Sequence, residues 1–302
     1  MSALPANYSH LISAAWNGLL TADNIRDAAR TFKFKTGSGS DNVQPRLVAE
    51  LSDTVLTDLA QIISKVVNSG EFPKQAQELL SLFIPKSAGG LRPIGSATAV
   101  YRIGFRTVGR GLTEWEVNLG GDAFVGGKGS PPADIVAATI SAHGEYARAV
   151  ELQCVSVLLD VTKCFDTVLH QRLITRCIKL GFPPRQLRLA LLFFRTARRI
   201  AIGNTVSVAF HATQGIVAGC ASATRLLRAY LNPVVEEMCR LHRSIIIKVW
   251  VDDATLTAIA KRGVAGQLAA DASKWLCIKL LEDNLAISKK AKSLAAHPAK
   301  VK

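Results

Sequence analysis

The chain has 302 residues, and 49% of them are hydrophobic, so it can bury a sizeable core, which excludes wholesale disorder. Lys and Arg number 37 against 23 Asp and Glu, and the resulting net charge of +14 favours a polyanionic partner, nucleic acid before an acidic membrane surface. No apolar run approaches the roughly 20 residues of a membrane span, and the first residues lack a basic, apolar leader. We therefore expect an intracellular protein, in the cytoplasm or the nucleus, with no membrane partner.

The first half of the chain predicts helices, one short strand and glycine-rich loops. Residues 1–31 are predicted to form one or two short helices. Residues 46–67 carry apolar side chains at helical spacing, and Gly70 is a helix stop. Residues 80–85 form a short apolar run typical of a strand, and residues 120–132 contain a glycine-rich stretch, FVGGKGSPP.

The second half begins with a predicted buried strand at residues 154–159, which ends at Asp160. A helix is then expected up to Leu180, with Gly181 as its C-terminal cap. Residues 199–208 predict two strands around a Gly-Asn turn.

A long helix is predicted from Ala221, and Pro233 should kink it because proline removes a ladder hydrogen bond. Two β-prone runs follow, at residues 245–251 and 254–259, with Asp252 and Asp253 between them. This pattern predicts a hairpin that carries two carboxylates at its tip.

The aspartates are the strongest candidates for chemistry. If the strand that ends at Asp160 neighbours the hairpin of Asp252 and Asp253, three carboxylates meet at one sheet edge. Carboxylates that lie this close repel each other unless cations lie between them. Mg²⁺ prefers carboxylates together with phosphate oxygens and water. The alternative is that the Asp-Asp pair is only a turn, where aspartate is common.

The six cysteines form no Cys-x-x-Cys pair, and no pair of histidines completes a zinc ligand set. We expect free thiols in a reducing compartment.

Six segments follow one another in an order that points to one family. They are KTGSGSDNVQPRLV at residues 35–48, FIPKSAGGLRPIGSATAVYRI at 83–103, VLLDVTKCFDTVLHQRLI at 157–174, TQGIVAGCASATRLLRAYLNPVVEEM at 213–238, VWVDDATLTA at 249–258 and LAISKKAKSLA at 285–295. Together they resemble the motifs of reverse transcriptases of the non-LTR retrotransposon type. The resemblance covers roughly residues 33–296.

The resemblance implies an RNA-directed DNA polymerase, a nucleotidyltransferase that uses two Mg²⁺ ions, with Mn²⁺ as the alternative. Asp160 and Asp252 would be the principal metal ligands, with Asp253 beside them. RNA template, a DNA or RNA primer and dNTPs would be the partners. The oligomeric state stays open.

Further roles follow from the same resemblance. Phe165 would crowd the sugar 2′ position and exclude ribonucleotides, the alternative being a core phenylalanine. Lys86 and Arg92 would hold the triphosphate, the alternative being that they are solvated charges of the fingers. Gln214 and Gly215 would lie under the templating base and the primer strand. Asp166 is expected at a helix N-terminus, where a carboxylate is favourable, and not as a metal ligand. Lys289 would lie near the leaving pyrophosphate, the alternative being a solvated run of charges.

The implied fold class is α+β, with the fingers and palm of a right-hand polymerase. An N-terminal helical segment would cover residues 1–32, the fingers 33–150 and the palm 151–302, whose antiparallel sheet packs on helices. No thumb is expected within these 302 residues, which suggests a fragment of a retroelement protein.

Two other functions stay open. One is a catalytically impaired, polymerase-derived RNA-binding or maturase-like protein. The other is an RNA-directed RNA polymerase, against which Gln214-Gly215 and Val251-Asp252-Asp253 count, because those enzymes usually carry Ser-Gly and Gly-Asp-Asp.

Overall fold

The computed structural model describes residues 18–85 and 89–296. The helices are α1 Ala22–Arg30, α2 Asp53–Ser69, α3 Ala99–Val108, α4 Arg110–Leu119, α5 Ala133–Ala149, α6 Cys164–Thr167, α7 His170–Lys179, α8 Pro184–Arg195, α9 Ala223–Leu241 and α10 Val264–Glu282. The strands are β1 Glu78–Pro85, β2 Leu91–Ser96, β3 Gln153–Asp160, β4 Ala197–Ile202, β5 Thr205–Val206, β6 Ile245–Trp250, β7 Asp253–Ala260 and β8 Lys292–Ala296.

The chain forms two compact units, and each is assembled from two separate stretches. The first unit comprises Met1–Trp115 and Cys177–Ala223, and the second comprises Glu116–Arg176 and Thr224–Lys302. The chain therefore passes from the first unit to the second and back before it ends in the second.

The first unit contains a four-stranded sheet in the order β2-β1-β4-β5. Strand β1 pairs antiparallel with β2 and parallel with β4, so this sheet is mixed. Beside it, helices α1, α2 and α3 share an apolar core that includes Ile25, Leu56, Ile63 and Ile103, all nearly or fully buried.

The second unit contains a four-stranded antiparallel sheet in the order β6-β7-β3-β8. Successive residues of each strand lie on opposite faces of the sheet. Ile247, Val249 and Ala254 lie on one face, together with the apolar residues of α9 and α10. Asp160 and Asp253 are cross-strand partners and lie on the other face, because the pairing register of two strands determines which face each side chain occupies. The architecture is thus mixed α and β, which agrees with the α+β class predicted from the sequence.

Several predicted elements are confirmed, among them strand β1, strand β3 ending at Asp160 and the hairpin of β4 and β5. Helix α9 contains Pro233, as expected. Gly70 ends α2 with φ of 80°, the left-handed conformation that suits glycine. All six cysteines are free thiols.

Two predicted helices are wrong in their extent. The helix expected over residues 46–67 is a 3₁₀ turn, Pro45–Glu50, followed by α2, because Ser52 caps a new helix by accepting a hydrogen bond from Val55 N at 3.5 Å. The helix expected between Asp160 and Leu180 is broken into α6 and α7, because Val168 is extended, with ψ of 122°, and fully buried.

The remaining differences are small. The long helix begins at Ala223 and not at Ala221. The first 17 residues lie outside the described part of the chain, so the expected N-terminal helices are seen only as α1. None of the helices in the described ranges is long and apolar enough to cross a membrane.

Candidate active site

Three carboxylates lie at one end of the antiparallel sheet. Asp160 is the last residue of β3, Asp253 is the first residue of β7, and the two are direct cross-strand partners. Asp252 precedes Asp253 in the turn, and its carbonyl accepts a hydrogen bond from Val161 N at 3.2 Å. The sequence prediction that these three residues meet at one sheet edge is therefore confirmed for the backbone positions.

The turn that carries Asp252 is tight and strained. Trp250 and Asp253 are paired across the hairpin, so only Val251 and Asp252 connect the strands. Val251 has φ of 57°, in the left-handed region that a β-branched residue rarely adopts. Backbone strain of this kind persists only where the surrounding structure enforces it, and it concentrates at functional sites.

The carboxylates influence the titration of their neighbours. Burial raises the pKa of the Asp253 carboxyl, and the nearby charges of Asp252 and Asp160 raise it further. Burial also raises the pKa of the Cys164 thiol, and the same two carboxylates help to bring it to about 12. Burial is the larger cause of both shifts, and the neighbouring carboxylates add to it.

The donor chemistry of this cluster fits Mg²⁺, which takes oxygen ligands and favours carboxylates. Burial is the main cause of the raised pKa of Asp253, and the neighbouring charges of Asp252 and Asp160, whose repulsion a cation would relieve, add to it. As the side chains stand, however, no group of three or more His, Cys, Asp or Glu residues in the described ranges is arranged to hold a metal ion. The backbone nevertheless brings the three aspartates to one end of the sheet.

Phe165 follows Asp160 by five residues and lies in the short helix α6. Its neighbour Cys164 is buried at 2% exposure, but Phe165 is only half-buried. Phe165 therefore does not belong to the fully buried core. Asp166 lies in the first turn of α6, the position expected for it, and its N–H donates to Lys163 O at 2.8 Å.

The segment around Lys289 runs beside the end of β3. Ser288 N donates to Asp160 O at 2.7 Å, and Thr162 N donates to Ala286 O at 2.8 Å. Lys289 follows directly and is exposed. An exposed cation therefore lies next in sequence to the residue bonded to the Asp160 backbone.

Arg92, Gln214 and Gly215 belong to the first unit. Arg92 is exposed on β2, opposite Ile84. Gln214 and Gly215 lie in the loop before α9, and Gly215 has φ of 94°. Lys86 lies outside the described residues. Asp160, Asp252, Asp253 and Phe165 all belong to the second unit.

The loop of Gln214 and Gly215 packs tightly on strand β2. Gly95 N donates to Ala218 O at 2.7 Å. Gly219 has φ of 107°, and a Cβ on it would lie 2.5 Å from Gly95 O, so only glycine permits this approach. The backbones of the Arg-Pro-Ile segment and the Gln-Gly segment are therefore fixed against each other.

The Gly-x-Asp segment of residues 35–48 has a comparable structural role. The Asp41 carboxylate accepts a hydrogen bond from Ala99 N at 2.6 Å, at the start of α3. A Cβ on Gly39 would lie 2.2 Å from Ala97 O, so side chains are excluded there. The motif thereby holds the start of α3.

The sequence did not predict a network of ion pairs that lines the same cavity as Trp250. Buried Glu116 pairs with Arg225 at 2.8 Å and with buried Arg228 at 3.8 Å. A Cβ on Gly126, whose φ is 81°, would lie 3.0 Å from the Trp250 ring, so the glycine-rich loop rests on the indole. The FVGGKGSPP stretch, with an aromatic residue at the hairpin, was the signal for this contact.

This loop also extends the sheet edge. Val125 N donates to Val249 O at 3.0 Å, and Phe124 forms an isolated parallel bridge with Val249. The strand that leads to Trp250 and the carboxylate turn is thus held from its outer side. The loop, Trp250 and the Glu116 network line a cavity of about 570 Å³.

No protein-family model matches the chain, and no curated protein matches it either. Its assignment therefore rests on its own motifs and geometry.

Proposed function

We propose that the chain is the fingers and palm of a reverse transcriptase, an RNA-directed DNA polymerase of the non-LTR retrotransposon type. The observation that carries the proposal is the pairing of Asp160 with Asp253, with Asp252 in the adjoining turn. Template-directed nucleotidyl transfer needs carboxylates at one point, and the antiparallel sheet brings three of them to one end.

The order of the motifs supports the same proposal. The segments of residues 157–174 and 249–258 contribute to the strands β3, β6 and β7 of one sheet, and the segment of residues 285–295 follows α10 and is hydrogen-bonded to the backbone of Asp160. Segments that merely resembled polymerase motifs by chance would not be expected to meet in this way.

In this proposal Asp160, Asp252 and Asp253 hold two Mg²⁺ ions. When bound, the ions would activate the primer 3′-hydroxyl and stabilise the leaving pyrophosphate. The half-buried ring of Phe165 borders the sugar of the incoming nucleotide and leaves no space for a 2′-hydroxyl. Arg92 and Lys86 would bind triphosphate oxygens, and Gln214 and Gly215 would support the template.

A catalytically impaired RNA-binding protein is the second candidate, and the basic net charge favours it. A protein with a net charge of +14 would still bind RNA through phosphate contacts.

Single-nucleotide primer extension on an RNA template separates these candidates. Addition of a matched dNTP in the presence of Mg²⁺ or Mn²⁺ supports the reverse transcriptase. Preferential addition of rNTPs over dNTPs supports an RNA polymerase. RNA binding without any addition supports the non-catalytic protein.

A further inference from the structure

The first unit contains a basic pocket that the proposed catalytic residues do not explain. It has a volume of about 360 Å³. Its lining includes Phe32, Lys33, Thr36, Arg102 and Arg106. Three of these five side chains are cationic.

The two arginines of the pocket share one aromatic ring. Cζ of Arg106 lies 3.6 Å from the ring centroid of buried Phe32, and Cζ of Arg102 lies 5.2 Å from it. Arg102 donates to Gly37 O at 2.7 Å, and Arg106 donates to Thr31 Oγ1. Both guanidinium groups are thus held in position beside each other, before any ligand binds.

The positive charge of this pair is only partly compensated, through the nearby carboxylate of Asp41. In the part of the chain that the structure describes, neither arginine forms an ion pair with a carboxylate. Burial lowers the pKa of Arg106, and the charge of Arg102 lowers it further. Burial lowers the pKa of Arg102 as well, and the charge of Asp41 partly opposes that shift. The Asp41 carboxylate is itself held by hydrogen bonds from the backbone N–H groups of Ala99 and Val43.

Such a pair of fixed guanidinium groups is suited to phosphate oxygens, which arginine binds through several donors. An anion placed between them would relieve their repulsion. The pocket therefore selects for an anion, and phosphate is the anion that its donors match best.

The neighbouring residues indicate which phosphate compound fits. Lys33 and Lys35 are exposed, and Phe34 between them is 68% exposed. Arg46 lies over the Phe34 ring at 4.9 Å from its centroid. Cations interleaved with an accessible aromatic ring are typical of surfaces that bind single-stranded nucleic acid, where bases stack and phosphates pair.

We propose that this pocket binds consecutive phosphate groups of a single-stranded nucleic acid, and that Phe34 stacks on a base of the same strand. The inference goes beyond the proposed polymerase activity, because it concerns strand binding by the first unit and involves no catalytic residue. Its test needs neither dNTPs nor a divalent metal ion, so it can succeed or fail independently of catalysis.

The test is the salt dependence of binding to a fluorescently labelled single-stranded RNA, measured by anisotropy with the complete chain. Each phosphate contact contributes a slope of about −0.7 to log K against log salt concentration. In the Arg102→Gln/Arg106→Gln variant the magnitude of this slope should therefore be smaller by about 1.4 than in the wild type. Arg102→Lys/Arg106→Lys should keep most of it, because the charges remain.

The matched control is Arg240→Gln/Arg243→Gln, which removes two exposed arginines from the second unit. It should keep the wild-type slope. Equal losses in both double variants, or an unchanged slope in the pocket variant, would overturn the proposal. If the pocket double variant fails to fold, exposed Arg106 can be replaced alone, and Arg106→Gln should then lose about 0.7.

Two further arms separate the strand from a free phosphate compound. Phe34→Ala should weaken RNA binding at least about fivefold without altering the salt slope, because stacking is lost and charge is kept. Inorganic tripolyphosphate is the second probe. If the pocket variant loses tripolyphosphate binding but binds RNA like the wild type, the pocket serves a free anion and the strand assignment is wrong.

Discussion

Asp160 and Asp253 stand directly opposite each other in the neighbouring antiparallel strands β3 and β7, at the end where the sheet meets the turn of Asp252. Like charges placed opposite each other destabilise a sheet. A fold that retains such a pair at a strained turn therefore indicates a purpose other than stability.

Because the pKa of Asp253 is raised in the folded protein, the contribution of Asp253 to the free energy of unfolding depends on pH. Because the folded protein binds this proton more tightly than the unfolded chain does, the stability contributed by Asp253 is fully present below its unfolded pKa and is lost as pH rises through its folded pKa. The Asp253→Asn variant should therefore gain stability over the wild type near pH 7, and the gain should shrink in acid. Urea unfolding at both pH values measures this difference.

Asp271→Asn is the control, because Asp271 is an exposed residue on α10 of the same unit. It should show no comparable pH-dependent gain. A gain for Asp253→Asn that was equal at both pH values would contradict the electrostatic explanation.

Phe165 provides a test of sugar selection. If its half-buried ring occupies the space beside C2′, Phe165→Val should increase rNTP over dNTP incorporation by at least about tenfold, which is about 1.4 kcal/mol of lost discrimination. Most dNTP activity should remain. The measurement is single-nucleotide primer extension with matched dNTP and rNTP, together with a thermal melt.

The control for Phe165 is Phe194→Val, a substitution in the fully buried core. It should lower the melting temperature without altering the sugar ratio. If Phe165→Val behaves in the same way, Phe165 is only a packing residue.

Arg92 is exposed on β2, so its replacement should not disturb folding. If it binds triphosphate oxygens, Arg92→Ala should reduce kcat/KM for dNTP by on the order of 10²-fold. Binding of the template should stay close to wild type. Arg262→Ala, at another exposed arginine, is the comparison, and equal effects of both would return Arg92 to the role of a solvated charge.

Gly126 links the glycine-rich loop to the hairpin of the carboxylates. An added Cβ would lie 3.0 Å from the Trp250 ring, and φ of 81° disfavours any residue with a side chain. Gly126→Ala should thus cost about 1 kcal/mol or more in stability. It should also change the fluorescence of Trp250 and lower nucleotide addition, since the indole adjoins the strained turn.

Gly121→Ala gives the contrast for that experiment. Gly121 also has positive φ, at 94°, but a Cβ on it would meet no atom within 4 Å. Gly121→Ala should lose stability only because its positive φ disfavours a residue with a side chain, and it should leave the Trp250 fluorescence unchanged. Identical fluorescence changes in both variants would show that the loop does not position Trp250.

Local patterns made much of the second unit predictable. The β-prone runs on both sides of Asp252 and Asp253 specify a hairpin, and the apolar run before Asp160 specifies a buried strand. Register then places Asp160 beside Asp253, and this pairing could be expected only because the motifs suggested that the strands are neighbours.

Other features escaped prediction for physical reasons. Apolar periodicity continues through Ser52, so it could not reveal that this residue caps a new helix. The ion pairs of Glu116 join residues more than a hundred positions apart, and no local pattern contains such information. The arginine pair over Phe32 is similar, because its ring and its cations come from separate segments.

The central claim is that the carboxylates at the end of the antiparallel sheet perform nucleotide addition. The most direct measurement compares the wild type with Asp160→Asn and Asp252→Asn in single-nucleotide extension of a primer on an RNA template, with Mg²⁺ and with Mn²⁺. The wild type should add the matched deoxynucleotide, and both variants should add none while melting at or above the wild-type temperature, because removing one of several like charges does not weaken the fold. Extension by either variant at close to the wild-type rate would contradict the account.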